Sequence, residues 1–204
     1  DSELIMEYKT VLREQDIIEA SFKLGVEIYN AGYYPTFIVG LWRGGSTVGI
    51  YLQECLQSLG VFTNHIAIRT SYAGPKRYAE DLKKPDHQIR VHGTEYLIKT
   101  LRAEDRLLIV DDVFSSGRNM AAVIEQLKTR LKRNLPEDLR VACLFQRKSQ
   151  NPGSLQPDFV GSQTNHWLTL PYELQDLSLN ELALHKPAVI ALIETYGLRL
   201  PDLQ

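Results

Sequence analysis

The chain has 204 residues, 44% apolar and 24% charged, with a net charge of −2 at pH 7. That balance suits one α/β domain with a substantial core, and gives no electrostatic reason to bind nucleic acid or a membrane surface. No apolar run is long enough to span a membrane and no signal peptide opens the sequence, so the expected location is cytoplasmic.

Residues 10–31 predict an amphipathic helix with Ile17, Ala20, Leu24, Ile28 and Ala31 on one face. Gly32 ends it and Pro35 opens the next segment. Residues 37–41 are short and apolar, as in a buried strand. Trp42-Arg43-Gly44-Gly45-Ser46-Thr47 follows, then a helix carrying Val48, Tyr51, Leu52, Cys55, Leu56 and Leu59. An anion could lie against the backbone N–H groups of this turn, with Arg43 supplying charge; close helix–strand packing would also call for the glycines. Residues 62–70 alternate as a strand. Ser71-Tyr72 then begins a long polar stretch, 73–88, with Gly74, Pro75 and Pro85. A loop of that length in a compact domain is functional or disordered. Residues 89–91 read as a returning strand and 95–101 as a short helix.

Residues 106–120 organise the chain. Residues 107–110 form a continuously apolar run, the mark of a strand buried on both faces. Asp111 and Asp112 follow at its C-terminal end, where open α/β sheets bind ligands. Ser115-Ser116-Gly117-Arg118-Asn119 makes a small polar turn into a helix, about 119–133, with Met120, Val123, Ile124, Leu127 and Leu131 at helical spacing. A helix N-terminus would hold a phosphate through backbone N–H groups and the helix dipole, and the carboxylates would take hydroxyls or a metal. A phosphorylated sugar suits that combination.

After Pro136, residues 141–145 are another buried strand, ending at Gln146-Arg147-Lys148. Residues 149–157 are loop by composition. Brief strands follow at 159–160 and 167–170, closed by Pro171-Tyr172-Glu173, and 187–196 is helical with Pro187 in its first turn. Cys55 and Cys143 read as buried small apolar residues rather than a disulfide or metal pair. His65, His87, His92, His166 and His185 show no metal-ligand spacing.

Residues 107–117 resemble the ribose-phosphate signature of the type I phosphoribosyltransferases: apolar strand, two acidic residues, two spacers and a five-residue phosphate turn. The segments Val141-Ala142-Cys143-Leu144-Phe145-Gln146-Arg147-Lys148 and Pro157-Asp158-Phe159-Val160-Gly161 are similar to hypoxanthine-guanine phosphoribosyltransferases, as are Trp167 and Pro171-Tyr172-Glu173. The resemblance implies a single domain over 1–204. It has a parallel twisted sheet flanked by helices, a small hood formed mainly by about 146–185 with the N-terminal segment, and a mobile flap beginning at Ser71 and Tyr72. It implies magnesium-dependent transfer of ribose 5-phosphate from phosphoribosyl pyrophosphate to a purine base, hypoxanthine or guanine first, by a homo-oligomer. Asp111 and Asp112 would bind ribose hydroxyls or magnesium. Ser115, Ser116, Gly117, Arg118 and Asn119 would hold the 5′-phosphate. Arg43, Gly44 and Gly45 would hold pyrophosphate, with a cis peptide between Trp42 and Arg43. Trp167 would stack on the base, the Leu168 backbone would read its edge, Arg147 or Lys148 would donate to its 6-oxo group, and Glu173 would hold a magnesium on pyrophosphate.

The chain also departs from that pattern. The 6-oxopurine enzymes usually carry Asp where Ser115 stands, and a hydroxyl is a poor base near neutral pH. Asn119 replaces the usual Thr, and Arg118 adds a charge beside the turn. Two further readings therefore stand beside the purine one: a nucleotide-binding regulator without turnover, and an enzyme for another class of base.

Overall fold

In the computed structural model residues 9–71, 89–149 and 152–199 are described, the side chain of Ser71 excepted. Tyr72 and residues 73–88, on which the flap expectation falls, lie outside them. The described chain divides into two compact units, a larger one over Ile17–Thr164 and a smaller one from the segments flanking it.

The apolar runs of the larger unit become neighbouring strands. β2 (Phe37–Trp42), β3 (Asn64–Ser71), β4 (Arg90–His92), β5 (Arg106–Phe114), β6 (Asp138–Arg147) and β7 (Phe159–Thr164) form one sheet in the order β4-β3-β2-β5-β6-β7. Only the β3–β4 pair is antiparallel. β5 is central because its apolar run can be covered on both faces. Leu107, Leu108, Ile109 and Val110 are all at 0% exposure, and each such burial is worth about 1.5–3 kcal/mol.

Helices cover both faces. α1 (Glu14–Asn30), α2 (Gly44–Ser58), α3 (Glu95–Thr100) and α4 (Arg118–Leu131) follow the strands, and a short 3₁₀ turn, Lys132–Asn134, ends the last of them. Alternate residues of a strand share a face, so Val39, Ile109, Val141 and Cys143 pack together against Met120, Val123, Ile124, Leu127 and Leu131 of α4. α2 packs on β2 and β5 and buries Val48, Leu52 and Leu56. The expectation of a parallel α/β sheet flanked by helices is met. No helix among the described residues is long and apolar enough to cross a membrane.

The smaller unit contains a second sheet, β1 (Lys9–Val11) beside β8 (Trp167–Thr169) in parallel, with Thr10 opposite Leu168. Thr10 therefore lies in a strand, not in the helix expected over 10–31. The Asp16 carboxylate sets the later start: it accepts the Arg13 N–H at 2.9 Å and pairs with the Arg13 guanidinium at 2.8 Å. Along α1 the buried positions are Ile17, Ser21, Leu24, Gly25 and Ile28, so Ser21 and Gly25 take the places expected for Ala20 and Ala31.

α5 (Leu179–His185) precedes α6 (Pro187–Thr195) and was not expected. Its signal is the Ser-x-x-Glu start of a capping box. Ser178 Oγ accepts the Glu181 N–H, and Glu181 Oε2 accepts the Ser178 N–H at 2.8 Å. That bond and Lys9 Nζ, 3.0 Å from the carboxylate, draw the Glu181 pKa down to about 2.

Candidate functional site

β5 has two neighbours only over its first half. Its pairing with β2 stops at Gly40 opposite Val110, whereas pairing with β6 continues through Asp111–Cys143 to Phe114–Gln146. Asp111 and Asp112 thus lie within the strand, past the point where β2 leaves it, rather than after its end. Asp112 N–H donates to Asp111 Oδ1 at 2.9 Å, and Val113 N–H to Asp112 Oδ1 at 2.8 Å. Each carboxylate is tied to the next peptide, which fixes its side chain.

The turn that follows needs glycine at Gly117. Its φ is +74°, and a Cβ there would lie 2.5 Å from Phe114 Cζ, whose ring is buried under the turn. Gly117 is the N-cap of α4, and no side chain caps it. The first helical bond is Ala121 N–H to Gly117 O at 2.9 Å, and Arg118 N–H reaches Ser116 Oγ only at 3.4 Å. The first turn lines a pocket of about 120 Å³, shared by Asp111, Ser115, Ser116, Gly117, Arg118 and Asn119 among others. Uncapped N–H groups at the positive end of a helix dipole make an anion site. Asn119 Oδ1 is buried there without a partner among the described residues. A half-turn of the amide would present Nδ2 as a donor to an anion instead.

A second uncapped N-terminus meets the same strand. The Trp42–Arg43 peptide is cis, as the resemblance implies, and Arg43 is the N-cap of α2 with no side-chain cap. α2 begins at Gly44, so only Trp42 and Arg43 of the expected turn lie outside the helix. A Cβ on Gly45 would lie 2.3 Å from Val110 O and 3.0 Å from Asp111 Cα. Only glycine lets the start of α2 approach β5 so closely. Ser46 Oγ is buried there without a partner among the described residues, a feature sequence reasoning passed over.

Asp111 is thus common to both places: its backbone meets α2 at Gly45, and it lines the pocket at α4. Burial and the neighbouring Asp112 charge raise its pKa well above the usual carboxylate value. The same burial and the same two carboxylates push the Cys143 thiol up to about 12. A hard cation would relieve this crowding, and the donors are oxygens, so the pair fits magnesium. Among the described residues no group of three or more His, Cys, Asp or Glu gathers at metal-binding distance.

The remaining predicted residues are more scattered. Arg147 ends β6, four residues beyond Cys143 and on the same face, while Lys148 follows the strand and is exposed. Trp167 and Leu168 lie on β8 of the smaller unit, with Trp167 39% exposed. Glu173 closes a turn: its Oε2 accepts the Leu170 N–H at 2.9 Å and its own N–H donates to Leu170 O at 3.0 Å. Lys186 Nζ donates to Pro171 O beside it; burial lowers the Lys186 pKa while Glu173 and Glu14 act against that shift.

Comparison with known proteins gives three points of reference. The Bifunctional protein PyrR of Akkermansia muciniphila is 26% identical over 132 residues, 65% of this chain and 68% of that one. Phosphoribosyltransferase domain-containing protein 1 of Homo sapiens is 23% identical over 144 residues, 70% of this chain but 60% of its own length. The crystal structure of a purine phosphoribosyltransferase from Pyrococcus horikoshii superimposes with a TM-score of 0.58 at 25% identity, covering 81% of this chain and 94% of that one. The family model for the phosphoribosyl transferase domain matches residues 7–177. With that match spanning most of its length, and with the fold and the twin uncapped helix starts beside Asp111, the chain belongs to the phosphoribosyl transferase domain family.

Proposed function

We propose that the protein transfers ribose 5-phosphate from phosphoribosyl pyrophosphate to a purine base, hypoxanthine or guanine first, releasing a nucleoside monophosphate and pyrophosphate. The observation that carries this reading is Asp111 shared between two uncapped helix N-termini. Such a substrate has an anion at each end of a ribose, and the larger unit has an anion-binding helix start on each side of a carboxylate. The purine phosphoribosyltransferase among the structural neighbours supports the choice of base, and the relative named PyrR is the reason to test others.

In this reading the turn Ser115 to Asn119, with Arg118, holds the 5′-phosphate, and Arg43, Gly44 and Gly45 hold the pyrophosphate. Asp111 and Asp112 would take the ribose hydroxyls or magnesium, and Glu173 would be a further ligand for a magnesium on the pyrophosphate. When bound, magnesium would neutralise the leaving pyrophosphate. Catalysis by the chain itself is electrostatic: the carboxylates face the positive charge that develops on the ribosyl ring, and uncapped N–H groups fix both anions. The ribosyl C1–O bond to pyrophosphate breaks and a C1–N bond to the base forms. Ser115 offers no carboxylate for the proton leaving the base nitrogen, so the released pyrophosphate is the acceptor at hand. The hood expected over about 146–185 with the N-terminal segment would bind the base, Trp167 stacking on it, the Leu168 backbone reading its edge and Arg147 or Lys148 donating to its 6-oxo group. A homo-oligomer belongs to the same reading.

A pyrophosphate-release assay with phosphoribosyl pyrophosphate, magnesium and hypoxanthine, guanine, xanthine, adenine or orotate tests the reading. Turnover with hypoxanthine or guanine, abolished in the double variant Asp111→Asn with Asp112→Asn, is the expected result. Full activity in that variant would sink the assignment. Ser115 favours one alternative, a nucleotide-binding regulator, which would bind ligand and release no pyrophosphate with any base.

A further inference from the structure

The connection between β6 and β7 reaches the phosphate turn from behind. Gly153 N–H donates to Ser116 O at 3.0 Å, and a Cβ on Gly153 would lie 2.8 Å from the same oxygen. Main chain meets main chain there with no space for a side chain. Leu155, two residues on, packs against the core shared by β5, β6 and α4 and anchors the connection.

A trans peptide sets its C=O and N–H on opposite sides. Holding Ser116 O toward Gly153 therefore turns the Gly117 N–H away from it. Ser116 and Gly117 line the pocket and Gly153 does not, so the side away from Gly153 is the pocket side. We propose that Gly153 is a positioning residue, which clamps the Ser116–Gly117 peptide so that its N–H rather than its carbonyl faces the phosphate. The inference rests on the phosphate role given to this turn above. The clamp matters because the peptide ends on glycine, the residue with the least resistance to rotation. Flipped, it would present a carbonyl oxygen to a dianion. The same connection begins at Arg147 and Lys148, so the segment carrying the candidate base donors also braces the phosphate end.

A bond that positions the substrate phosphate equally in ground and transition states acts on KM and leaves kcat alone. Gly153→Ala, in the full chain, is expected to weaken ribose 5-phosphate binding in calorimetry about tenfold, the worth of one hydrogen bond. The KM for phosphoribosyl pyrophosphate should rise in proportion, with kcat held within about twofold. In the unmutated protein, hydrogen exchange at the Gly153 amide should slow when ribose 5-phosphate saturates the site. Unchanged affinity in a folded Gly153→Ala variant, or unchanged Gly153 exchange on saturation, overturns the inference alone. Failure of the unmutated protein to bind ribose 5-phosphate overturns the phosphate reading and this inference with it.

Discussion

Asp111 and Cys143 sit opposite one another in the parallel register of β5 and β6, which sets a thiol beside the carboxylate pair. Burial and the two negative charges push the Cys143 pKa up to about 12. The thiolate is the reactive form, and an ordinary cysteine titrates near about 8.5, so Cys143 should alkylate roughly 10³-fold more slowly at neutral pH. Iodoacetamide labelling of the native protein, read by peptide mass, should leave Cys143 unmodified until the chain is unfolded. Native labelling at the rate of a free cysteine peptide would contradict that placement.

Asp111 carries a stability cost at neutral pH. Its folded pKa is raised by burial and by Asp112, so the folded state holds a proton that the unfolded chain gives up near about 4. Stability is therefore lost as pH rises from the unfolded value through the folded one. Asp111→Asn keeps an Oδ1 for the Asp112 N–H and removes the charge. It should raise Tm at pH 7.5 and make little difference well below about pH 4, where both states are protonated. Thermal melts across that range decide the matter; a variant less stable at neutral pH would refute it.

Gly45→Ala tests the contact that brings α2 to the carboxylates. Its Cβ would fall 2.3 Å from Val110 O, a backbone atom in the fully buried run of β5, so α2 and β5 must part. Overpacking of this kind costs about 1–3 kcal/mol or more. A clear fall in Tm is expected, together with weaker ribose 5-phosphate binding as Asp111 shifts. An unchanged melt would mean the close approach is not what holds the helix start in place.

Much of this site was legible because local signals and tertiary packing agree there. The unbroken apolar run before Asp111 could only be a strand covered twice, and the five apolar positions of α4 recur at a spacing no strand has. Boundaries were less legible. β5 runs on to Phe114 because β6 continues beside it after β2 has left, a fact of register that no local pattern carries. The helix expected over 10–31 takes in Thr10 and Val11 because their strand partners, Leu168 and Thr169, lie more than 150 residues away. Ser46 and Gly153 escaped notice for the same reason. One is a buried hydroxyl and the other a main-chain contact, and neither leaves a periodic trace.

His65 adds an acid-sensitive point of the opposite sign to Asp111. On β3 its Nε2 is buried without a partner among the described residues, and a Cβ on Gly49 of α2 would lie 2.7 Å from it. Burial lowers the His65 pKa below the usual histidine value, so the fold prefers the neutral ring. The unfolded chain takes up a proton near pH 6.5, and stability is lost as pH falls through that value toward the folded pKa. His65→Leu offers similar bulk and no proton. Denaturant melts from pH 7.5 to pH 5 should show the wild type losing stability relative to this variant, most of the difference developing below about pH 6.5. Because Asp111 gains stability over the same descent, the comparison has to be the difference between wild type and variant at each pH. Parallel curves for the two would mean that the ring is solvated, and that the close contact with Gly49 does not exclude the proton.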